Sequence, residues 1–265
     1  MSEPIDPPEI VVRVPGPWLG PDDFDSRLPM GYKLGGDDEV ELWLSTPDGQ
    51  RLGVTIFPAD DEFLEIFATS CKREPCDADK RGVETYRFNI CLTMPGGSFT
   101  CAAAALRHTA ALLDAGGHGV FVDNSGIAHG SNDWRDLAGD SEPDGGGPFW
   151  AFLVTAGSTK EVWTTGMHCL GYRDAIMPRT GDDRLDDFQI RNFLAYSYRS
   201  GAVIEEGHVA GAMLGGDSAH AQNVTPMFRI HLEDDTIVPA GHPMHNPYGR
   251  YRLAPYEQGP TVGMN

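Results

Sequence analysis

Nucleophilic and acid–base side chains concentrate in two stretches of this 265-residue sequence. One is the loop 123–134, DNSGIAHGSNDW, and the other is the segment 164–175, TTGMHCLGYRDA, in which two glycines bracket a histidine and a cysteine. A serine or cysteine nucleophile needs a histidine base within hydrogen-bond reach and a third group that orients the base. A hydrolase built from these stretches would draw on five candidate residues: Ser125, His129, His168, Cys169 and Asp174.

Both stretches also have a structural interpretation, and the residue pattern favours it. Asn-Ser-Gly is a good turn sequence and lacks the GxSxG pattern of a strained nucleophile elbow. Gly166 and Gly171 permit a tight bend between two strands. Neighbouring residues in a strand point to opposite faces, so His168 and Cys169 would not meet. We therefore expect a hairpin whose polar tip is incidental at 164–175.

No cofactor or metal site is predicted. The sequence MPGGSFT, 94–100, joins a strand to a helix but lacks the lysine and the spacing of a phosphate-binding loop. Cys71 and Cys76 lack the second cysteine pair that a structural zinc site requires. His242 and His245 have helical i, i+3 spacing in a proline-rich stretch that disfavours a helix. A metal-dependent enzyme that uses histidines stays open as an alternative.

The segments around these two stretches are predicted to form alternating strands and helices. Residues 40–56 predict a β-hairpin, because two alternating apolar runs flank a Pro-Asp-Gly turn. Residues 84–123 predict a strand, an alanine-rich helix ended by two glycines, and a second strand. Residues 161–178 predict two short strands about a turn, whereas 124–147 reads as a long loop.

The helix predicted at 184–201 has apolar residues at helical spacing. We expect its buried face to consist of Leu185, Phe188, Phe193 and Tyr196. Strand-rich segments interrupted by two helices indicate an α+β fold, with a mostly antiparallel sheet and the two main helices on one face. Two similar β-α-β halves, 37–147 and 148–237, are compatible with a remote duplication.

The predicted organisation is one domain with extended ends. Residues 1–36 are rich in proline and glycine and predict an extended arm with one strand at 10–14. Residues 37–237 form the α+β domain, and 238–265 predict an extended tail that packs on it. Trp18 and Tyr248 are expected to anchor the arm and the tail.

Composition narrows the range of partners. The formal net charge of −19 disfavours binding to nucleic acid and to anionic membranes and favours a basic protein partner. The first residues lack the features of a signal peptide, and no apolar stretch is long enough to span a membrane. Five cysteines, an odd number, indicate reduced thiols and a cytoplasmic location. The oligomeric state stays open.

Four segments in order resemble the bacterial family named domain of unknown function 4261. They are AALLDAGGHGVFVDNSGIAHGSNDW, VWTTGMHCLGYRDAIMP, RNFLAYSYRSG and NPYGRYRL, within residues 98–253. Gly166, Gly171 and Asp174 are the most specific parts of the resemblance. It implies an α+β domain of bacterial origin, and it assigns no catalytic residue.

The leading functional hypothesis is a non-catalytic protein-binding module with an adaptor-like or immunity-like role. The acidic charge and the lack of a convincing catalytic constellation favour it. The alternative is a hydrolase or a metal-dependent enzyme that uses loop 123–134 together with hairpin 164–175.

Overall fold

The computed structural model describes residues 6–37, 41–142, 145–211 and 227–256. Within these ranges the chain forms thirteen strands, seven α-helices and one 3-10 helix. The strands are β1 Glu9–Gly16, β2 Lys33–Asp37, β3 Glu41–Ser45, β4 Arg51–Pro58, β5 Phe88–Pro95, β6 Gly119–Val122, β7 Ile127–Gly130, β8 Val154–Gly157, β9 Glu161–Thr165, β10 Asp174–Pro178, β11 Val209–Gly211, β12 Met227–Glu233 and β13 Arg250–Pro255. The helices are α1 Pro21–Arg27, α2 Asp61–Ser70, α3 Asp77–Glu84, α4 Phe99–Asp114, α5 Ser131–Gly139, α6 Gly147–Phe152 and α7 Asp183–Ser200, and the 3-10 helix is Met167–Leu170.

The first sheet contains seven antiparallel strands in the order β2-β3-β4-β5-β1-β6-β7. Alternation along each strand gives it one apolar face. In β1 that face consists of Ile10, Val12 and Val14, all fully buried. The expected hairpin is confirmed as β3 and β4, with Gly49 at a φ of 82° in the turn.

Strand β1 corrects the prediction of an N-terminal arm. It lies inside the sheet and pairs with both β5 and β6, from Glu9 opposite Pro95 to Gly16 opposite Phe88 on the β5 side. Prolines and glycines before and after this segment suggested an extended arm, because local composition does not show which strands a segment will pair with. The predicted strand at 10–14 is nevertheless present.

The predicted strand–helix–strand unit is present as β5, α4 and β6. Ser98 caps α4, its hydroxyl accepting a hydrogen bond from the Cys101 amide at 3.1 Å. The two strands do not pair with each other, because β1 lies between them and runs antiparallel to both. They are therefore parallel, as a helical crossover requires, and are separated by β1.

The second sheet contains six strands in the order β11-β12-β13-β10-β9-β8. Among the described strands of this sheet, only β10 and β13 pair in parallel, with Asp174 opposite Arg250. Strand β13 lies between β10 and β12, so this part of the predicted tail is an interior strand of the second sheet. Residues 257–265 of that tail lie outside the described residues.

Helix α7 confirms the predicted helix but not its buried face. Asp182 caps its start by accepting hydrogen bonds from the Arg184 and Leu185 amides, and Gly201 ends it at a φ of 59°. Apolar side chains occupy opposite sides of this helix, so periodicity could not select one side. The structure buries Ile190, Phe193 and Leu194 and leaves exposed Leu185, Phe188 and Tyr196.

The α+β class with mostly antiparallel strands is confirmed, although the strands form two sheets rather than one. Each of the two longest helices packs on its own sheet, α4 on β1 and β5, and α7 on β9 and β10. One hydrophobic cluster contains residues of both sheets, among them Val12 and Leu253. The two sheets thus share a core.

Candidate functional site

The two glycines of segment 164–175 both adopt the left-handed conformation. The φ angle is 101° at Gly166 and 86° at Gly171. A Cβ atom at Gly166 would lie 2.0 Å from the Phe152 carbonyl oxygen, and one at Gly171 would lie 2.4 Å from the Gly97 carbonyl oxygen. These positions therefore require glycine for its conformation and for space, which agrees with the interpretation of the pair as geometry.

The residues between the glycines are buried and do not form a polar hairpin tip. They form the 3-10 helix, which packs against α4 and α6. Its apolar members Met167 and Leu170 are 0% and 2% exposed, and their burial draws His168 and Cys169 inward with them. The sequence indicated a turn here but not its burial.

His168 and Cys169 are neighbours that do not act as a pair. The His168 Nε2 atom lies 3.0 Å from the Pro243 carbonyl oxygen and 3.1 Å from the Asn124 amide nitrogen. Burial lowers the pKa of His168 to about 4 and raises the pKa of the Cys169 thiol well above its usual value. At neutral pH both groups are uncharged, and Cys169 is a poor nucleophile because the thiolate is the reactive form.

Asp174 belongs to a buried hydrogen-bonded network with the end of the chain. Its carboxylate accepts hydrogen bonds from the Thr164 hydroxyl at 3.0 Å and from the Asn246 side-chain amide at 2.6 Å. Arg250, 2% exposed, donates to Asp235 at 2.8 Å and to the Thr164 carbonyl at 2.9 Å. Burial raises the pKa of Asp174 to about 6, although the nearby positive charge of Arg250 lowers it.

Loop 123–134 is mostly regular structure, since only its first residues form a turn. Strand β7 and the start of α5 follow that turn. The Asn124 side chain fixes the turn with two hydrogen bonds. Its Oδ1 atom accepts one from the Val11 backbone amide at 2.7 Å, and its Nδ2 atom donates one to the Glu9 carbonyl oxygen at 2.8 Å. Ser125 is 3% exposed, and its hydroxyl has no hydrogen-bond partner among the described residues.

His129 lies in a separate ion-paired cluster. Its Nδ1 atom is 2.7 Å from an Asp133 carboxylate oxygen, and its Nε2 atom is 3.0 Å from the Ala151 carbonyl oxygen. Both partners are hydrogen-bond acceptors, so both ring nitrogens are engaged within the protein. The hydrogen bond from His129 is the largest of the effects that lower the pKa of Asp133, and Arg73 contacts the same carboxylate at 2.9 Å.

The five candidate residues are all at most 3% exposed, and they do not converge on one cavity. Contact between the two stretches is made by Asn124 with His168 and by the Thr165 hydroxyl with the Ser125 carbonyl at 3.4 Å. The structure therefore brings Ser125 close to the 3-10 helix, places Asp174 in the adjoining network, and leaves His129 apart. Their catalytic roles stay a prediction.

Among the described residues, no group of three or more histidine, cysteine or acidic side chains is arranged to hold a metal ion. The His242–His245 pair lies in turns, where the His245 Nδ1 atom contacts the Val238 carbonyl at 2.9 Å. None of the helices in these residues is sufficiently long and apolar to cross a membrane.

The sequence patterns did not predict two surface grooves, each of about 420 Å³. The first, the α2–α3 groove, has mostly apolar lining with three charged side chains: Leu64, Phe67, Ala68, Cys71, Glu74, Pro75, Lys80, Val83 and Glu84. The second, the Lys72 groove, is lined by Lys72, Arg73, Asp133, Asp136 and Trp150 among others. Periodicity alone does not decide between a strand and a short helix for residues 63–70. The amphipathic spacing of this segment was the one signal that could have revealed the α2–α3 groove.

In the part of the chain that the structure describes, the fold consists of two sheets with helices, and it contains a buried polar network and surface grooves that include the α2–α3 groove and the Lys72 groove. No known family model matches the chain, and neither a curated protein nor a solved structure is significantly similar to it. The resemblance to the domain of unknown function 4261 family stays a prediction.

Proposed function

We propose that this protein is a non-catalytic binding module that docks a basic amphipathic helix of a partner protein in the α2–α3 groove. An adaptor-like or immunity-like role in the bacterial cytoplasm belongs to the same proposal. It rests on the resemblance and on the cysteine usage expected of a reducing compartment.

One observation carries this proposal, namely an apolar groove flanked by exposed carboxylates. Between the two helices, Phe67 and Val83 are buried at the base, while Leu64 is 37% exposed at the edge. Ile66, 44% exposed, extends the apolar surface of α2. Apolar grooves of this kind between two helices receive the apolar face of a partner helix.

The charge around the groove specifies the partner's chemistry. Five exposed acidic side chains on the two helices have no ion-pair partner among the described residues: Asp61, Glu62, Glu65, Asp77 and Glu84. The lysine at the rim, Lys80, is already paired with Glu74 at 2.5 Å. Basic side chains on the polar face of a partner helix would meet these carboxylates and be steered by the overall charge of −19.

The enzymatic alternative has weaker support. A nucleophile and its base must reach substrate, whereas Ser125, His168, Cys169 and Asp174 are buried, and the buried His129 uses both ring nitrogens in hydrogen bonds. A hydrolase or metal-dependent enzyme at these positions would need the 3-10 helix to leave the core.

The proposal is tested with two synthetic helical peptides of the same apolar pattern, one with lysine and one with glutamate on the polar face. We expect fluorescence anisotropy to give a Kd of about 1–100 μM for the lysine peptide and at least about tenfold weaker binding for the glutamate peptide. Leu64→Asp should abolish binding, because it places a charge in the apolar groove. Leu185→Asp is the matched control, since Leu185 on α7 is 38% exposed.

Non-specific attraction to an acidic protein would leave the two aspartate variants equal. Equal binding by Leu64→Asp and Leu185→Asp, or equal affinity for both peptides, would therefore overturn the proposal.

A further inference from the structure

The Lys72 groove differs from the α2–α3 groove in chemistry. Its volume of about 420 Å³ lies within the range of small-molecule sites. Helix α5 supplies one wall with Asp133 and Asp136, the segment after α2 supplies Lys72 and Arg73, and α6 supplies the aromatic ring of Trp150. The groove therefore combines both signs of charge with an aromatic surface.

Lys72 contributes a positive charge that forms no ion pair in the described part of the chain, although the Asp187 and Asp133 carboxylates are near enough to favour its charged form. Its Nζ atom lies 4.7 Å from the centre of the Trp150 ring, and the Arg191 guanidinium lies 5.8 Å from the same ring. The Lys72 ammonium forms no hydrogen bond or ion pair within the described residues. Partial desolvation and the neighbouring Arg191 charge lower the pKa of Lys72 to about 8. Arg73 is different, because it is paired with Asp133 at 2.9 Å.

Asp136 contributes the unpaired negative charge. Both carboxylate oxygens of Asp133 are occupied, one by Arg73 and the other by His129. Asp140 accepts a hydrogen bond from the Gly146 amide at 2.8 Å. The exposed Asp136 carboxylate, by contrast, has no hydrogen-bond or ion-pair partner in the part of the chain that the structure describes.

We propose that the Lys72 groove binds a small zwitterion, of the free amino acid or dipeptide class, with its carboxylate on Lys72 and its ammonium group on Asp136. The apolar part of the ligand packs on Trp150. An inorganic anion would satisfy only the lysine, and a simple cation would satisfy only the aspartate. A zwitterion neutralises both and keeps the local charge balance of the groove.

The site is tested by isothermal titration calorimetry of the full-length protein with each of the common L-amino acids and with a set of dipeptides. We expect at least one zwitterion to bind with a Kd below about 1 mM. Its N-acetyl and carboxamide derivatives each lack one charge, so each should bind at least about tenfold more weakly. Comparing amino acids with dipeptides distinguishes the two sources of the same chemistry.

Two variants test the named contacts. Lys72→Met and Asp136→Asn should each weaken binding at least about tenfold, whereas the exposed controls Lys160→Met and Asp22→Asn should not. In parallel, NMR of ¹³C-methylated lysines should show the pKa of Lys72 rising from about 8 when the ligand binds, because a carboxylate favours the charged amine.

The proposal is overturned if no zwitterion binds, or if the charge-deleted derivatives bind as well as the parent compound. Binding that survives both groove variants would overturn it too. If Lys72→Met fails to fold, as judged by circular dichroism, the derivatives and Asp136→Asn still decide the outcome. Binding or loss of binding in the Lys72 groove leaves the proposal for the α2–α3 groove unaffected, because the two grooves use different side chains.

Discussion

Burial shifts His168 and Asp174 in opposite directions, because it disfavours the charged form of each group. The pKa of the imidazole is lowered to about 4, and the pKa of the carboxyl group is raised to about 6. Three donors and the nearby Arg250 charge favour the Asp174 carboxylate, yet desolvation outweighs them. Groups with shifted pKa values often mark catalytic sites. The hydrogen-bond partners of these two groups, however, are turns and strands of the same core.

A pH-dependent loss of stability follows from His168. The unfolded imidazole takes up a proton near pH 6.5, whereas the folded one does so near pH 4. The stabilisation is complete above about pH 6.5 and is lost as pH falls toward about 4, a difference of roughly 3 kcal/mol. His168→Gln keeps a donor for the Pro243 carbonyl and should lessen the fall in unfolding free energy over that range, as measured by urea denaturation.

Asp174 changes the stability with pH in the opposite direction from His168, and it therefore provides an internal control. Its folded-state pKa of about 6 exceeds the usual value near 4, so its contribution to stability grows as pH falls between these values. The difference between wild type and His168→Gln isolates the histidine, because Asp174 is unchanged in both. An equally steep acid loss in the variant would contradict the assignment.

At the scale of elements, close backbone approaches fix the 3-10 helix between β9 and β10. Gly166 and Gly171 meet the carbonyl oxygens of Phe152 and Gly97, which belong to α6 and to the turn before α4. The glycines therefore form the bend and also allow this connection to pack closely against α6 and against the turn before α4. Sequence reasoning identified the bend from glycine alone, but the two carbonyl neighbours could not be inferred.

Alanine substitution separates conformational strain from crowding at these glycines. Gly181→Ala is the matched control, because Gly181 has a φ of 95° and nothing lies within 4 Å of the added Cβ. We expect it to cost about 1 kcal/mol from the positive φ alone. Gly166→Ala should cost more than about 3 kcal/mol, because the added methyl group collides with backbone. Similar melting temperatures for the two variants would rule out the packing role.

At the scale of the whole molecule, segments near the two chain ends occupy sheet interiors. Strand β1 joins β5 to β6, and β13 joins β10 to β12. Each of these two strands therefore joins strands that come from different parts of the sequence. Asn124 ties these regions together, since it bonds to the Glu9 carbonyl and, at 3.1 Å, to the Pro243 carbonyl.

Removal of β1 should prevent folding. Deletion of residues 1–18 removes four fully buried apolar side chains, Ile10, Val12, Val14 and Trp18, and burial of one such side chain is worth roughly 1.5–3 kcal/mol. It also removes the hydrogen bonds to two strands, and the sum approaches the roughly 5–15 kcal/mol that stabilises a typical domain. Circular dichroism should show no cooperative melting. Deletion of residues 1–5 leaves β1 intact and is the control. A melting transition retained without β1 would show that it is a dispensable arm.

Local sequence patterns determined much of this protein by themselves. The Pro-Asp-Gly hairpin, the capped helices α4 and α7, the bend at Gly166 and Gly171 and the α+β class could all be predicted. These features depend on contacts between residues a few positions apart, such as caps, turn conformations and strand alternation. The acidic charge is likewise a property of composition alone.

Only the tertiary structure decided the strand order, the buried face of α7, the burial of the five candidate residues and the two grooves. Helix α7 has apolar side chains on opposite sides, and its own sequence does not state which side meets a sheet. Asn124 and Pro243 are 119 positions apart in the chain, and Asp174 is 72 positions from its partner Asn246. Burial and pairing depend on such distant contacts, and a local pattern carries no information about them.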